Sequence, residues 1–491
     1  MNPPRQERRR GRGWRRLAIA AGLLASAGVA AAFAIDAIGV APRQLAPYIE
    51  QRARGHHAAI VAMGQFTATA LQRLDRDVPP QTQAIFGLAL GAQARPAGDG
   101  SRAGILVASA EALRAALARV QPGEVITLAP GTYRIGNKLN ADRPGAPEAP
   151  IVVRAAVPGS VRLEFDILEG FRVSAPHWQF ENLHIRGVCR RDSQCEHAFH
   201  IFGNASHFVA RNNTISDFNA HFKINGARGQ FPDNGLIESN TLDASRPRRT
   251  ANPVTSIDLV AASGWTVRAN LISDFVKDGG NRTSYGAFAK GGGKNNLFER
   301  NLVWCERRLH GQPGHRIGLS LGGGGTGKSM CRDRRCITEQ DRGVLRANLV
   351  VGCSDVGIYL NSAADSRVDD NTLVDPAGID VRFPTSSASL DGNLVDGPIR
   401  SRDGGLVREG DNRSTPSWRA YAGLHPVRTL FADPGAGDFR WRGEAPLRAH
   451  PREEPGLGVT DLCGGQRLPT PAYGAFDRFG GCQSRSGAAL H

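Results

Sequence analysis

A right-handed parallel β-helix is the fold class the sequence predicts, on three observations. From about residue 180 one phrase recurs as FENLHI, ARNNTI, IESNTL, VRANLI, FERNLV, LRANLV, VDDNTL and LDGNLV, with its asparagine at Asn182, Asn213, Asn240, Asn270, Asn301, Asn348, Asn371 and Asn393. The intervals of 31, 27, 30, 31, 47, 23 and 22 residues are solenoid spacings, too short for a βαβ unit with its helix, and the 47 carries an insertion. A second apolar strand follows each phrase (FHIFGN, HFKING, SIDLVA, GAFAKG, IGLSLG, GIYLNS, GIDVRF), so each coil holds two or three short strands. The 59 glycines and 7% aromatics suit a chain that turns a corner every few residues. The asparagine has a physical task there: its side chain tolerates left-handed geometry, bonds backbone groups, and can bond stacked copies of itself along the axis.

The elements follow in order. Residues 1–16 hold seven Arg and one Glu and read as a basic cytoplasmic tail. Leu17 to Ile35 runs nineteen residues without a charge, close to the roughly 20 that cross a bilayer. Small residues from Ala30 to Ala34 offer a cleavage site, but the run exceeds the ~7–15 residues of a signal core, so 17–35 reads as an uncleaved signal anchor. Basic residues stay in the cytoplasm, which places the chain in an inner membrane and its body in the periplasm. Residues 36–104 read as a helical segment and a polar linker. The β-helix takes 105–400, opening on ASAEALRAALARVQPGEVITLAPGTYRI: a helix from near Ser109, a Pro-Gly turn and a strand ending at Tyr133. That helix can cover the open end of the solenoid. The repeat is lost after about 405, and 401–491 reads as a C-terminal cap segment.

Eight cysteines suit an oxidising compartment. By distance they group as Cys189 with Cys195, Cys331 with Cys336, and Cys463 with Cys482, leaving Cys305 and Cys353. No two have CxxC spacing, which disfavours zinc. Charged residues at 22% and a mean hydropathy of −0.31 exclude a polytopic membrane protein. The net charge of +15 leaves +9 beyond the Arg-rich tail, so the body fits an acidic partner. Aromatic residues are not interleaved with the basic ones, which argues against nucleic acid. Of only six lysines, five (Lys223, Lys277, Lys290, Lys294, Lys328) fall within about a hundred residues. Lysine can supply a titratable amine and arginine cannot.

Side chains alternate in and out along a strand. With the apolar residues inward, the outer column reads His200; His221, Lys223 and Asn225; Asp258; Lys290; Ser320; Tyr359 and Asn361; Asp380 and Arg382. Coils stack about 4.8 Å apart, so Lys223, Asp258 and Lys290 are expected in one sugar-binding groove. β-Elimination from a uronate needs a base of lowered pKa and a cation on the carboxylate, and neighbouring lysines depress one another. Hydrolysis needs two carboxylates about 5–9.5 Å apart, and Asp258 is the one acid at the column's centre. A solvated basic face is the bland alternative.

The segment LRAALARVQPGEVITLAPGTYRI, the Asn-anchored coils and AFAKGGGKNNLFERNLV together resemble the polysaccharide lyases of the chondroitinase B and alginate lyase type, over roughly residues 105 to 400. The resemblance implies a lysine base on one coil, an arginine assisting from the next, and a calcium ion neutralising the carboxylate. Lys290 stands where the base would. The arginine's place holds Gly322, and no Glu appears in SYGAFAK.

GGGGTGKS at Gly322 to Ser329 matches the phosphate-loop pattern, but MCRDRRC follows with no helical period, so no phosphate site is expected. It reads as a rim loop offering Lys328, Arg332, Arg334 and Arg335 to an anionic chain. His197, His200, His207 and His221 are expected on different faces rather than on a metal. The reading is an envelope β-helix protein that acts on an acidic, uronate-containing polysaccharide by β-elimination, with Lys290, Lys223 and Asp258 catalytic. His200, His221, Asn225, Ser320, Tyr359, Asn361, Arg382 and Lys328 would bind substrate. A C5-epimerase shares the chemistry. A non-catalytic polysaccharide-binding or scaffold protein is the reading from another class.

Overall fold

The computed structural model describes residues 7–76, 90–93, 104–323, 325–449 and 460–482. Its centre is the expected β-helix: three parallel sheets of 12, 10 and 10 strands, each coil giving one strand to each. One coil shows the order. Val209–Arg211 lies in the first sheet, Thr214–Ser216 in a second, and Ala220–Asn225 in the third, each paired in parallel with the coils before and after.

The repeated asparagine lies at the corner between the first two strands. Asn301 is typical: its Oδ1 accepts from the backbone N (3.1 Å) and Nδ2 (3.0 Å) of Asn270, and its Nδ2 donates to Val267 O (2.9 Å) and Asn348 Oδ1 (3.0 Å). The ladder runs from Asn213 to Asn412. Two details differ from expectation. The left-handed residue is the one before the ladder Asn, as at Ser239 (φ 55°), Ala269 (φ 54°) and Ala347 (φ 52°). And Asn182 is out of step by one: it pairs with Asn212, while Leu183 N donates to Asn213 Oδ1 in the ladder position.

Inside, Phe171, Phe199 and Phe222 stack at 5.1 and 5.3 Å between ring centroids, and Ile257, Ala287 and Leu319 continue the column. Trp178 is fully buried and donates to Arg143 O, a packing role. The helix Ala110–Arg119, N-capped by Ser109 Oγ on Ala112 N, buries Leu113, Ala116 and Leu117 over the first coil.

Ahead of the solenoid stand α1 (Glu7–Ile38), α2 (Pro42–Ala53) and α3 (Ala58–Arg76). Within α1, Ala18–Ile38 is 21 residues of mean hydropathy 2.1, long and apolar enough to cross a membrane by length and composition. The polar linker expected before residue 104 falls largely outside the described residues. α2 docks on the late coils, where Gln44 Nε2 donates to Asp355 Oδ1 (2.7 Å) and Ala41 packs with Ile317, Val356 and Tyr359.

These surroundings decide which face is open. The outer side of the second sheet, with Leu302, Leu349 and Leu394, is buried under Phe431, Phe439 and Phe476 of the C-terminal segment. The first sheet carries a solvated ladder such as Arg211, Glu238 and Arg268. The third sheet's outer face is half-exposed over its early coils, at His200, Phe202, Lys223 and Asn225, and again at Lys290, while Asp258, Phe288 and Ser320 are buried. All eight cysteines pair: Cys189–Cys195, Cys305–Cys353, Cys331–Cys336 and Cys463–Cys482.

Candidate functional site

Strand pairing in the third sheet puts Arg172, His200, Lys223, Asp258, Phe288, Ser320, Tyr359 and Asp380 in one row across the coils. Lys290 lies one row over, opposite Val260. Of these, Lys223, Asp258, Lys290, His200 and Asn225 come together. Lys223 Nζ donates to Asp258 Oδ2 at 2.7 Å, while Asp258 Oδ1 is buried without a partner among the described residues. His200 bridges Glu169 Oε1 (3.1 Å) and Asn225 Oδ1 (2.9 Å). Arg172 pairs with Glu169 at 3.0 Å.

Lys290 differs from Lys223. Its Nζ sits 4.4 Å from the centroid of the Phe288 ring. Burial holds its pKa below the ordinary lysine value, helped by the Lys223 charge and opposed by Asp258. Gly323 lies against its stem, so close that a Cβ there would come within 2.9 Å of Lys290 Cδ. The cluster thus holds one desolvated lysine, Lys290, beside a second, Lys223, that is bonded to Asp258.

Sequence reasoning missed three members. Glu169 is lowered to about 2, first by the hydrogen bond from His200. Arg172 was readable by alternation from FRV. His197, expected on another face, stands with its ring 5.6 Å from that of His200, and burial pushes its pKa down to about 4.

Other expected positions lie elsewhere. His221 is 2% exposed and bonds Asp243 O through Nε2, at the corner where the second sheet leads into the third. Ser320 is fully buried and donates to Gly322 O. Tyr359 packs against Ala41 at the start of α2, and Asn361 is buried beside it, its Nδ2 donating to Tyr359 Oη at 3.2 Å. Arg382 reaches Tyr359 Oη (3.3 Å) and Asp403 (2.5 Å). The groove is therefore shorter than the column suggested.

The glycine run forms no phosphate loop: among the described residues it leads into the three-residue turn Lys328–Met330. Lys328 is exposed on that strap. Arg332 fixes the strap by a bidentate pair with Asp233 (both 2.8 Å) and by lying 4.4 Å over Phe231. Gly322 cannot be replaced by an arginine on this backbone, because its φ is +73° and a Cβ would stand 1.8 Å from Asn361 O. Nor does the groove fit the calcium ion that the resemblance implied. Of the acids near Lys290, Asp258 and Glu169 are already paired with Lys223, His200 and Arg172, and Glu339 accepts from Gly291 N and Thr326 Oγ1, whereas calcium asks for six to eight oxygens.

No protein-family profile matches the chain. Pectate lyase L of Dickeya dadantii (strain 3937) is 33% identical over 104 residues, 18% of this chain and 24% of the relative. Pectate lyase L of Dickeya chrysanthemi is 28% identical over 131 residues, 24% of this chain and 31% of the relative. The chain thus spans about a quarter to a third of the length of these curated relatives. Among solved structures, pectate lyase Pel9A is similar with a TM-score of 0.49 and 16% identity, over 80% of this chain and 98% of that one. An alginate lyase from Paenibacillus sp. str. FPU-7 follows at 0.39 and 15%, over 63% and 99%. The expected resemblance to parallel β-helix polysaccharide lyases is present.

Proposed function

We propose that the protein cleaves an acidic, uronate-containing polysaccharide by β-elimination, with Lys290 as base and Lys223 as the cation facing the substrate carboxylate. One observation carries this: Lys290 is a desolvated amine with no hydrogen-bond or ion-pair partner among the described residues. A neutral amine so placed can take the proton on the carbon next to the carboxylate. The electron pair left behind forms the ring double bond, and the glycosidic C–O bond on the adjacent carbon breaks. The leaving oxygen then takes a proton from water or a groove histidine. Asp258 holds Lys223 in place and, lying beside Lys290, limits how far its pKa falls. The apolar span of α1 supports an envelope location, with the groove in the periplasm.

The committed Lys223–Asp258 pair favours a second reading, a groove that binds the polymer without cleaving it. The test is ultraviolet absorbance of unsaturated uronate with alginate, pectate, chondroitin sulfate, dermatan sulfate and heparin. Rising absorbance with one polymer supports elimination. Retention of a polymer on immobilised protein with no new absorbance, and no deuterium entering the sugar in heavy water, removes both lyase and epimerase.

A further inference from the structure

We infer that Asp375, Asp396 and His425 form a site for a divalent cation, away from the groove, that ties the C-terminal segment to the solenoid. Asp375 follows the strand Thr372–Val374, Asp396 follows Leu394–Val395 one coil on, and His425 comes from the segment ahead of the turn Arg428–Leu430. One ligand atom from each lies within 4.8 Å of the others. All three side chains are at least nine-tenths buried.

The imidazole is the telling group. Among the described residues neither ring nitrogen of His425 has a hydrogen-bond partner, which is costly in a dry interior. Its Nδ1 stands 3.7 Å from Asp396 Oδ2, too far for a hydrogen bond. Two ligands held about 2.0–2.2 Å from one tetrahedral ion stand roughly 3.3–3.6 Å apart, so a small inward movement would place both on a metal.

Charge points the same way. Arg43 of α2 is bidentate to Asp75 of α3, and Arg428 donates through Nε to Asp375 Oδ1 (3.0 Å). Three carboxylates therefore meet two guanidiniums, and the surplus negative charge falls at Asp396, beside the unpartnered imidazole. One nitrogen and two carboxylate oxygens suit zinc better than calcium, which prefers oxygen alone. Asp375 also lines a cleft between α3 and the solenoid, with Gln72, Trp304 and His310, which gives an ion a way in.

The experiment is a calorimetric titration of the metal-stripped full chain with zinc alone, repeated with manganese and calcium. One equivalent of zinc should bind saturably and raise the melting temperature. Asp396→Asn and His425→Gln should each weaken that binding at least tenfold and abolish the rise. Without metal, Asp396→Asn should melt no lower than the wild type, because it removes the surplus charge; that keeps the comparison independent of misfolding. No saturable zinc binding by the wild type, or binding by either variant as tight as the wild type's, overturns the proposal.

Discussion

Replacing Asn301 by Ala tests whether the asparagine ladder holds the coils together. The substitution removes one acceptor and one amide donor group. It leaves Asn270 N, Asn270 Nδ2 and Val267 O each without a bond made in the native chain, while the bond from Asn301 N to Asn348 Oδ1 survives. Asn301 is fully buried, and a buried polar group left unsatisfied costs about 1–3 kcal/mol. Asn270 Nδ2 keeps its bond to Ile237 O, so two such groups, partly relieved by entering water, give a loss of about 2–4 kcal/mol. Asn182→Gly is the control. Its side chain accepts one bond from Asn212 Nδ2, which keeps a second acceptor in Gln93 O, and glycine suits its φ of 61°, so the loss should be about 1 kcal/mol or less. Urea denaturation followed by circular dichroism reads both. Equal losses would refute the ladder argument.

Gly323→Ala puts a methyl into the Lys290 stem and should cut kcat at least tenfold while leaving the melting temperature within a few degrees; unchanged turnover would separate the strap from the base. Asp258→Asn removes the charge that raises the Lys290 pKa, so the rising limb of the kcat/KM profile should move to lower pH. A base works deprotonated, and a shift to higher pH would contradict its assignment. His221 is held down to about 4 by burial, below the ordinary value near 6.5. The unfolded chain therefore binds the proton first, and its share of stability, up to about 3 kcal/mol, is present above about pH 6.5 and lost as pH falls towards 4. His221→Gln should flatten denaturation midpoints across that window. Added calcium should leave the initial rate unchanged, because the groove acids are already paired; a calcium-dependent rate would show that this pairing opens.

The solenoid was legible because its period is local. Each coil states its own corner, and the strand after it states its own alternation. Asn182 was misaligned because the pattern follows the letter and not the pairing, which puts Leu183 in the ladder. Asn412 was missed because EGDNRS lacks the apolar flanks of the other phrases. The heart of the groove, Lys223, Asp258 and Lys290, followed from alternation alone. The burial of Tyr359 did not, since it packs against Ala41, more than three hundred residues earlier in the chain. Alternation from Phe171 turns Glu169 inward, yet its carboxylate reaches His200. The opposite strand leaves the regular pleat there, with Ala198 and Phe199 both buried. His197 was hidden by the same irregularity.

The central claim is that Lys290 removes the proton. Its most direct test compares the initial rate of unsaturated-uronate formation by the wild type and by Lys290→Ala, on the polymer that the absorbance screen selects, with retention of that polymer measured for both. The account predicts that the variant keeps the polymer within a few-fold of wild-type affinity and loses at least a thousandfold in kcat, in line with removal of a positioned base that also sets the protonation state of the site. A variant that still forms unsaturated product at near the wild-type rate would contradict the account.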